Sequence, residues 1–276
     1  MKYYYIVFLV ILILIIESVS RSYREKRKFI LTKNLYNTIK DNDIKLPDIE
    51  ESDDIPYHII QTHKSIDEVP QKIIDNIKKN NPQHKYYFYD NEECKLFLKN
   101  NFSNEFLKKF EEFKLGPHKS DLFRLCWLYL NGGTYIDIDT EMLKPLEYIH
   151  NNIKSKLIIP YNNFKSNIYS DTINTLLNNK SHLLINSFIM CNKGNKQIGE
   201  CIKNIIQITQ KDIDKYGYTL LLCIMQRTLG KNFKYQIYEK ESKPYLLTSK
   251  RYMYDQKGVI LMNPKYENYE KGNFKL

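Results

Sequence analysis

The sequence has few cysteines, and their spacing argues against a thiolate metal site. Its five cysteines include no Cys-x-x-Cys pair, which is the spacing that zinc-binding cysteines usually show. Cys126 and Cys223 lie in apolar helical patterns, so we expect them to behave as small core residues. The sequence leaves open whether one disulfide forms, because that depends on the redox state of the compartment.

The chain also lacks a concentrated basic region in its folded part. The net charge is +10, but five basic residues and one acidic residue between positions 21 and 28 account for +4, and Lys2 adds +1. The remaining positive charge is spread along the rest of the chain. The sequence contains no zinc-finger spacing and no aromatic–basic RNA-binding motif. This distribution fits solvated lysines on helix faces, and we expect no nucleic-acid partner.

Only one long hydrophobic run is evident, and it lies at the start of the chain. Residues 3–16 carry no charge. The run is longer than the core of many signal peptides and shorter than a full membrane span. Residues 1–20 are therefore predicted to be either a signal anchor or a signal peptide, with Ser18 to Ser20 as a cleavage site in the second case. The basic cluster that follows conflicts with a lumenal domain under the positive-inside rule.

The rest of the sequence divides into a polar linker or stalk over residues 21–54 and a folded domain over residues 55–276. The domain begins with an apolar strand at 57–61, and further strands alternate with amphipathic helices. This order predicts an α/β fold in which a Rossmann-like, mostly parallel sheet is flanked by helices. In the second half, "KLIIP", "LLINSFIMC" and "GVILMNP" are predicted strands, whereas "NKQIGECIKNIIQITQ" and "KYGYTLLLCIMQRTLG" are predicted helices.

The stretch "NGGTYIDIDT" combines a glycine pair with two closely spaced acids. Tyr135, Asp137 and Asp139 alternate with apolar residues, which predicts a strand with these three side chains on one face. In α/β sheets, ligands bind at the carboxyl ends of strands. Paired carboxylates there suit Mg²⁺ or Mn²⁺, which they hold together with substrate phosphates. The preceding Gly132 and Gly133 would let the backbone approach a ligand closely.

The helix before the glycines carries an unusual ion pair. Asp121 and Arg124 lie one turn apart in "HKSDLFRLCWLYLNGG", a helix whose other residues are mostly apolar. An ordinary surface pair would contribute little to stability. A buried pair needs partners instead, and the hydroxyl groups of a sugar can supply them.

Together these residues resemble a known family. "KSDLFRLCWLYLNGGTYIDIDT" is similar to the core of the DXD-containing glycosyltransferases of glycosyltransferase family 32, which includes the yeast initiation-specific α-1,6-mannosyltransferase. It is more distantly similar to the glucosyltransferase domains of clostridial toxins. The resemblance covers roughly residues 55–146, with a weaker echo at "INSFIMCNKGN". It implies a GT-A fold, a nucleotide-sugar donor, Mn²⁺ or Mg²⁺, and transfer of a hexose with retention of anomeric configuration.

The resemblance also implies roles for individual residues. The metal ligands would be Asp137 and Asp139, which with Arg124 form the predicted catalytic set. Asp121 and Arg124 would hold the donor sugar, and Tyr135 would lie along the nucleotide. The predicted substrate-binding residues are Asp121, Arg124, Tyr135, Gly133, His63 and Asn186. The implied acceptor is a glycan, glycolipid or glycoprotein. The implied location is a membrane of the secretory pathway, Golgi-like, through a single-pass N-terminal anchor, with secretion as the alternative.

Two departures from the family pattern keep other functions open. His63 stands where the family usually has tryptophan, and the last histidine is His182, so a C-terminal metal ligand would have to be Glu267, Glu270 or Asn273. An inactive sugar- or nucleotide-binding relative is one alternative. The other is a metal-dependent phosphoryl-transfer enzyme. That chemistry would need further acids on neighbouring strands, and the sequence has few there.

Overall fold

The computed structural model describes part of the 276-residue chain. The described residues are 12–13, 16–17, 32–162, 183–230, 233–241 and 251–263. Most of the N-terminal apolar run and all three predicted C-terminal metal ligands lie outside them. In the described part, no helix is both long enough and apolar enough to cross a membrane.

The described chain contains nine helices of α type from residue 32 onward and eleven strands. The helices are α1 (32–39), α2 (Gln71–Asn80), α3 (Asn91–Asn101), α4 (Asn104–Glu112), α5 (Gly116–Asn131), α6 (Leu146–Asn152), α7 (Lys196–Ile205), α8 (Gln210–Tyr216) and α9 (Leu220–Leu229). The strands are β1 (His58–Thr62), β2 (Lys85–Tyr89), β3 (Gly133–Ile136), β4 (Glu141–Met142), β5 (Leu157–Ile158), β6 (Tyr161–Asn162), β7 (Leu183–Leu184), β8 (Phe188–Cys191), β9 (Ile237–Glu241), β10 (Arg251–Asp255) and β11 (Ile260–Asn263).

The first sheet has the order β2-β1-β3-β8-β5. Strand β1 pairs in parallel with β2 and β3, whereas β8 is antiparallel to both β3 and β5. Four of the five strands therefore point the same way, which confirms the predicted α/β class with a mostly parallel sheet. The carboxyl ends of β1 and β3 meet at one edge, where such sheets bind ligands. A second sheet has the order β4-β11-β10-β9-β6-β7.

The central helix α5 is buried because its apolar residues run around almost the whole helix. Leu122, Leu125, Trp127 and Leu128 are at most 1% exposed. They belong to a core cluster that also contains α7 and α9. Because α5 fills the interior, its polar residues must be satisfied inside the protein. None of the five cysteines forms a disulfide. Cys126 lies in this core as expected, whereas Cys223 is only half-buried.

The glycine pair after α5 allows close packing of the backbone. Gly132 and Gly133 have φ angles of 65° and 107°, a region that residues with a Cβ rarely adopt. A Cβ on Gly133 would lie 2.7 Å from Cβ of His58 on the neighbouring strand. Gly133 begins β3, whereas Asp137 follows its other end. The close approach that the structure gives Gly133 is thus to a strand, and a substrate contact of Gly133 stays a prediction.

Part of the predicted linker packs against the domain. Ile39 is 7% exposed and belongs to the main core cluster, with Leu35, Tyr36, Ile44 and Leu46 packed against it. The backbone oxygen of Ile39 accepts a hydrogen bond from Gln207. Residues between 35 and 46, within the predicted linker over 21–54, thus contact the core. Apolar residues at helical spacing, hidden among charged neighbours, supply the contact surface.

A cluster of aromatic rings lies at the amino ends of β1 and β2, away from the predicted site. The Tyr57 ring stacks on His150 at 4.5 Å between centroids and lies 4.8 Å from His84. Both ring nitrogens of His84 are buried and have no hydrogen-bond partner in the described part of the chain. Burial, together with the nearby His150 and His58, lowers the pKa of His84 to about 4. The folded protein therefore holds His84 in its neutral form.

This cluster predicts a loss of stability in acid. The pKa of His84 is lower in the folded protein than in the unfolded chain. Its contribution to the free energy of unfolding is therefore fully present above about pH 6.5. It is lost as the pH falls toward 4, because the unfolded chain then binds a proton that the folded protein does not. Allowing for partial exposure, the loss is on the order of 1–2 kcal/mol. Thermal melts between pH 4 and 7.5 should show a smaller pH slope for His84→Phe than for the wild type. An unchanged slope in the variant would assign the acid sensitivity to other groups.

Candidate active site

The two aspartates lie in a turn at the carboxyl end of β3. The strand ends at Ile136, and the backbone N–H of Thr140 donates to the carbonyl of Asp137 over 3.0 Å, which closes the turn. The predicted strand alternation is therefore correct for Tyr135 and Asp137 but wrong for Asp139, which lies in the turn. Both aspartates are half-buried, so the turn presents two carboxylates at the ligand-binding edge of the sheet.

Arg124 is the buried centre of the site, with 4% of its surface exposed. Its Nε donates to the Ser120 carbonyl over 3.1 Å, and its terminal nitrogens donate to the Asn186 carbonyl over 2.6 Å and to Ser120 Oγ over 2.9 Å. The same two nitrogens lie 3.3 Å from Asp137 and from Asp121. Of the five N–H donors of a guanidinium, three form these hydrogen bonds, and the two carboxylate contacts are longer ion pairs.

This geometry constrains the predicted sugar contact of Arg124. All three nitrogens of the guanidinium are already bonded to protein oxygens. The two contacts to carboxylates are the longest and are the ones that a ligand could replace. Arg124 therefore neutralises and holds the acids of the site, which is a positioning role. Its burial opposes the charge, but the surrounding Tyr135, Asp137 and Asp121 raise its pKa, so it remains charged.

Asp121 faces the same space from α5. Asn186 donates to its Oδ1 over 2.6 Å, and Arg124 contacts the same oxygen. Both described partners thus bond Oδ1, which leaves Oδ2 as the oxygen for a ligand hydroxyl. Burial raises the pKa of Asp121, whereas Arg124 opposes this effect. The structure brings Asn186 to the site, but its side chain orients Asp121.

Tyr135 lies beneath Arg124 and contacts Asp137. Its ring centroid is 4.0 Å from the guanidinium carbon, and its hydroxyl donates to Asp137 Oδ1 over 2.7 Å. The side chain is 2% exposed. Burial raises the pKa of Tyr135, with Asp137 adding to the effect and Arg124 opposing it. The neutral phenol thus orients Asp137, and the contact of Tyr135 with a nucleotide stays a prediction.

Two polar residues that the sequence prediction missed, Ser120 and Gln61, also contact the residues of this site. Ser120 lies 2.8 Å from Thr62 Oγ1 and 3.2 Å from the Tyr135 hydroxyl, in addition to its bonds with Arg124. Gln61 is fully buried on β1, and its amide donates to the Asp137 carbonyl over 3.2 Å. A glutamine inside the apolar strand "HIIQT" is the signal that would have identified it, because a buried amide needs partners.

His63 lies at the same edge of the sheet, just beyond β1. Its Nδ1 is 2.8 Å from the backbone oxygen of Ser65. The side chain is half-buried, and its contact with a nucleotide base stays a prediction. The structure thus brings together Asp121, Arg124, Asp137, Asp139 and Asn186, with His63 at the rim of the same edge.

The residues present fit a divalent cation of the hard, oxygen-seeking kind. Asp137 and Asp139 supply carboxylates from one turn, and the side chain of Asp137 is 33% exposed. Mg²⁺ commonly takes only one or two protein carboxylates and completes its shell with water and substrate phosphates. Among the described residues there is no group of three or more metal-ligating side chains, so any ion here would depend on the substrate for further ligands.

Comparison with known proteins identifies the segment that contains these residues. Residues 67–164 match the family described as "Glycosyltransferase sugar-binding region containing DXD motif". The matched segment is about a third of this chain. It includes Asp121, Arg124, Tyr135, Asp137 and Asp139, whereas Asn186 and His63 lie outside the matched range.

Two curated relatives are similar to part of the chain. An uncharacterised glycosyltransferase of Acanthamoeba polyphaga mimivirus is 37% identical over 87 residues, which are 32% of this chain and 35% of that protein. The initiation-specific α-1,6-mannosyltransferase of Candida albicans is 33% identical over 111 residues, which are 37% of this chain and 29% of that protein. The chain thus matches about a third of the length of these relatives.

One solved structure, the PaToxG glycosyltransferase, is similar over 74% of this chain and 79% of its own chain, with 17% identity and a TM-score of 0.42. The matched sugar-binding region agrees with the family resemblance inferred from "KSDLFRLCWLYLNGGTYIDIDT".

The tyrosine that bonds Asp137 gives a prediction about this site. Tyr135→Phe should lower kcat/KM about tenfold and cost about 1 kcal/mol of stability, because Asp137 loses a hydrogen bond that fixes its orientation. Tyr148→Phe is a matched control, since Tyr148 donates to Asp255 over 2.9 Å in the second sheet. The control should lose stability without losing activity. Equal kinetics for the two variants would contradict the role of Tyr135.

Proposed function

We propose that this chain is a metal-dependent glycosyltransferase that moves a hexose from a nucleotide-sugar donor to a glycan, glycolipid or glycoprotein acceptor. One observation carries the proposal: Asp121, Arg124 and Asp137 share a single ion-paired cluster at the ligand-binding edge of a sugar-binding region. The family of the matched segment supports the donor class. The sugar would be mannose, galactose or glucose.

The side chains of the cluster account for substrate binding. Asp121 is buried, yet it keeps one oxygen for a ligand hydroxyl, and a buried acceptor of this kind rejects ligands that lack the matching hydroxyl. Arg124 lies 3.3 Å from both carboxylates and holds them in place. Asp137 and Asp139 would hold Mn²⁺ or Mg²⁺, which when bound would stabilise the negative charge that develops on the leaving diphosphate. The role of the chain is to pre-organise these groups before the donor arrives.

A panel of donors tests the proposal. The purified protein is incubated with UDP- and GDP-linked glucose, galactose and mannose, with Mn²⁺, Mg²⁺ or EDTA, and release of nucleoside diphosphate is measured. We expect metal-dependent release from at least one donor and none in EDTA. NMR of the glycoside product would establish whether the anomeric configuration is retained, as the resemblance implies.

Binding measurements separate the alternatives. Calorimetry that detects donor binding without any release of nucleoside diphosphate would favour an inactive sugar- or nucleotide-binding relative. Absence of both binding and release across all six donors would overturn the proposal. Hydrolysis of simple phosphate esters without transfer of sugar would favour a phosphoryl-transfer enzyme.

The N-terminal segment belongs to a separate proposal. We propose that residues 1–20 act as a signal anchor or signal peptide that directs the domain to the secretory pathway, with the uncharged run at 3–16 as its support. Cell fractionation of the full-length protein, compared with a chain that begins at Lys28, tests this. Identical distribution of the two forms would contradict it.

A further inference from the structure

One exposed aromatic residue stands at the edge of the site without a role in the function proposed above. Tyr218 is 54% exposed and lies in the turn between α8 and α9. The turn begins at Gly217, whose φ angle of 99° lets the chain leave α8 sharply. The backbone N–H of Leu220 donates to the Gly217 carbonyl over 3.0 Å, which closes the turn. A single exposed tyrosine is ordinary on a protein surface, so the argument depends on how this one is held.

A buried histidine holds this turn against the central helix. His118 is 1% exposed on α5, and its Nε2 is 2.9 Å from the backbone oxygen of Tyr218. The two rings also contact each other, with centroids 5.0 Å apart. His118 precedes Asp121 by three residues, so both lie on one face of α5. The helix that supplies a carboxylate to the site thus also fixes the position of Tyr218.

The phenol of Tyr218 lies within electrostatic reach of the ion-paired cluster. Burial raises its pKa, and the carboxylates of Asp121 and Asp137 raise it further, whereas Arg124 opposes them. Tyr218 therefore combines a polar group near the acids with a ring that is largely open to solvent. Asp121 and Arg124, by contrast, are 8% and 4% exposed and form the floor of the same space.

The chemistry of a sugar fits this arrangement. A pyranose ring has an apolar C–H face, and a tyrosine ring offers a rigid surface with few torsions to restrict on binding. The buried floor of the site is suited to the donor sugar. An acceptor must bring its hydroxyl to that sugar from the solvent side, where Tyr218 is exposed. We propose that Tyr218 is a specificity-determining residue that stacks against a sugar ring of the acceptor, and that His118 positions it.

The inference rests on the proposed glycosyltransferase function, so the experiment measures the two separately. Hydrolysis of the donor by water needs no acceptor and tests the function alone. Saturation-transfer NMR with the methyl glycosides of mannose, glucose and galactose, each in the presence of the hydrolysed donor's nucleoside diphosphate and Mn²⁺, tests acceptor binding. The glycoside that binds is then used as the acceptor in steady-state kinetics.

The expected results distinguish a ring contact from a structural effect. Tyr218→Ala should raise the acceptor KM by about tenfold or more, whereas Tyr218→Phe, which keeps the ring, should stay within about threefold. Donor hydrolysis should change by less than about twofold in both variants, because the buried floor is intact. Tyr57→Ala is the matched control: Tyr57 is 42% exposed and stacks on a histidine, but it lies at the other end of the sheet.

A second variant tests the positioning role. His118→Leu should raise the acceptor KM in the same direction as Tyr218→Ala and leave donor hydrolysis measurable. If the wild type hydrolyses a donor but binds none of the three glycosides, or if Tyr218→Ala keeps the wild-type acceptor KM, the role of Tyr218 is refuted while the glycosyltransferase function stands. If the wild type hydrolyses no donor, the proposed function itself has failed.

Discussion

Asp139→Asn is expected to lower donor turnover by about 100- to 1,000-fold, which is the range seen when one group that stabilises a developing charge is removed. Asparagine keeps the size of the side chain but removes the negative charge that a divalent cation requires. Asp139 lies in a turn that follows β3 and is half-buried, so the fold should tolerate this substitution. The measurements are release of nucleoside diphosphate over a range of Mn²⁺ concentrations and a thermal melt of each protein.

The control for this variant is the same change at an exposed position. Asp75 lies on α2 and accepts a hydrogen bond from Gln71 over 2.9 Å on the exposed face of that helix. Asp75→Asn should behave as the wild type does in both assays. Wild-type turnover in Asp139→Asn would show that the metal-ligand assignment is wrong, even if the protein proves to be a glycosyltransferase.

The sequence predicted the elements whose patterns are local. Strands β1 and β2, the helix α5 and the last strand β11 all lie where runs of apolar residues and breaking residues indicated. The pairing of Asp121 with Arg124 followed from their spacing on one helix. Their meeting with Asp137 depended on a parallel sheet that aligns strand ends, which the alternation of strands and helices also predicted.

What the sequence did not reveal depends on neighbours that are distant along the chain. Gly133 is needed because His58, 75 positions earlier, passes beside it. Tyr135 and Asp137 do share a face, but periodicity says nothing about Arg124 covering the ring. The packing of residues 32–54 was missed because their apolar residues are diluted by charged ones, so the composition resembled a linker. A short turn likewise replaced the predicted strand at Asp139, since no local signal marks where pairing stops.

Arg124→Lys is the second variant with a large expected effect, because lysine keeps the charge but loses the planar arrangement of donors. The guanidinium bonds Ser120 twice and the Asn186 carbonyl once, and it lies between two carboxylates. An ammonium has three donors and cannot span these acceptors. Asp121 and Asp137 would then lose their fixed spacing in a site where little water is available to compensate.

We expect Arg124→Lys to lower kcat/KM by about 100-fold or more and to cost about 1–3 kcal/mol of stability, the penalty for leaving buried acceptors unsatisfied. Arg227→Lys, at a half-buried arginine of α9 that bonds Thr32, provides the matched control. A stabilised background or assays well below the melting temperature would keep both proteins folded during kinetics. A large fall in melting temperature with near-normal kinetics would show that Arg124 only supports the fold. The reverse pattern would show that the spacing of the two carboxylates, which Arg124 fixes, is what the reaction requires.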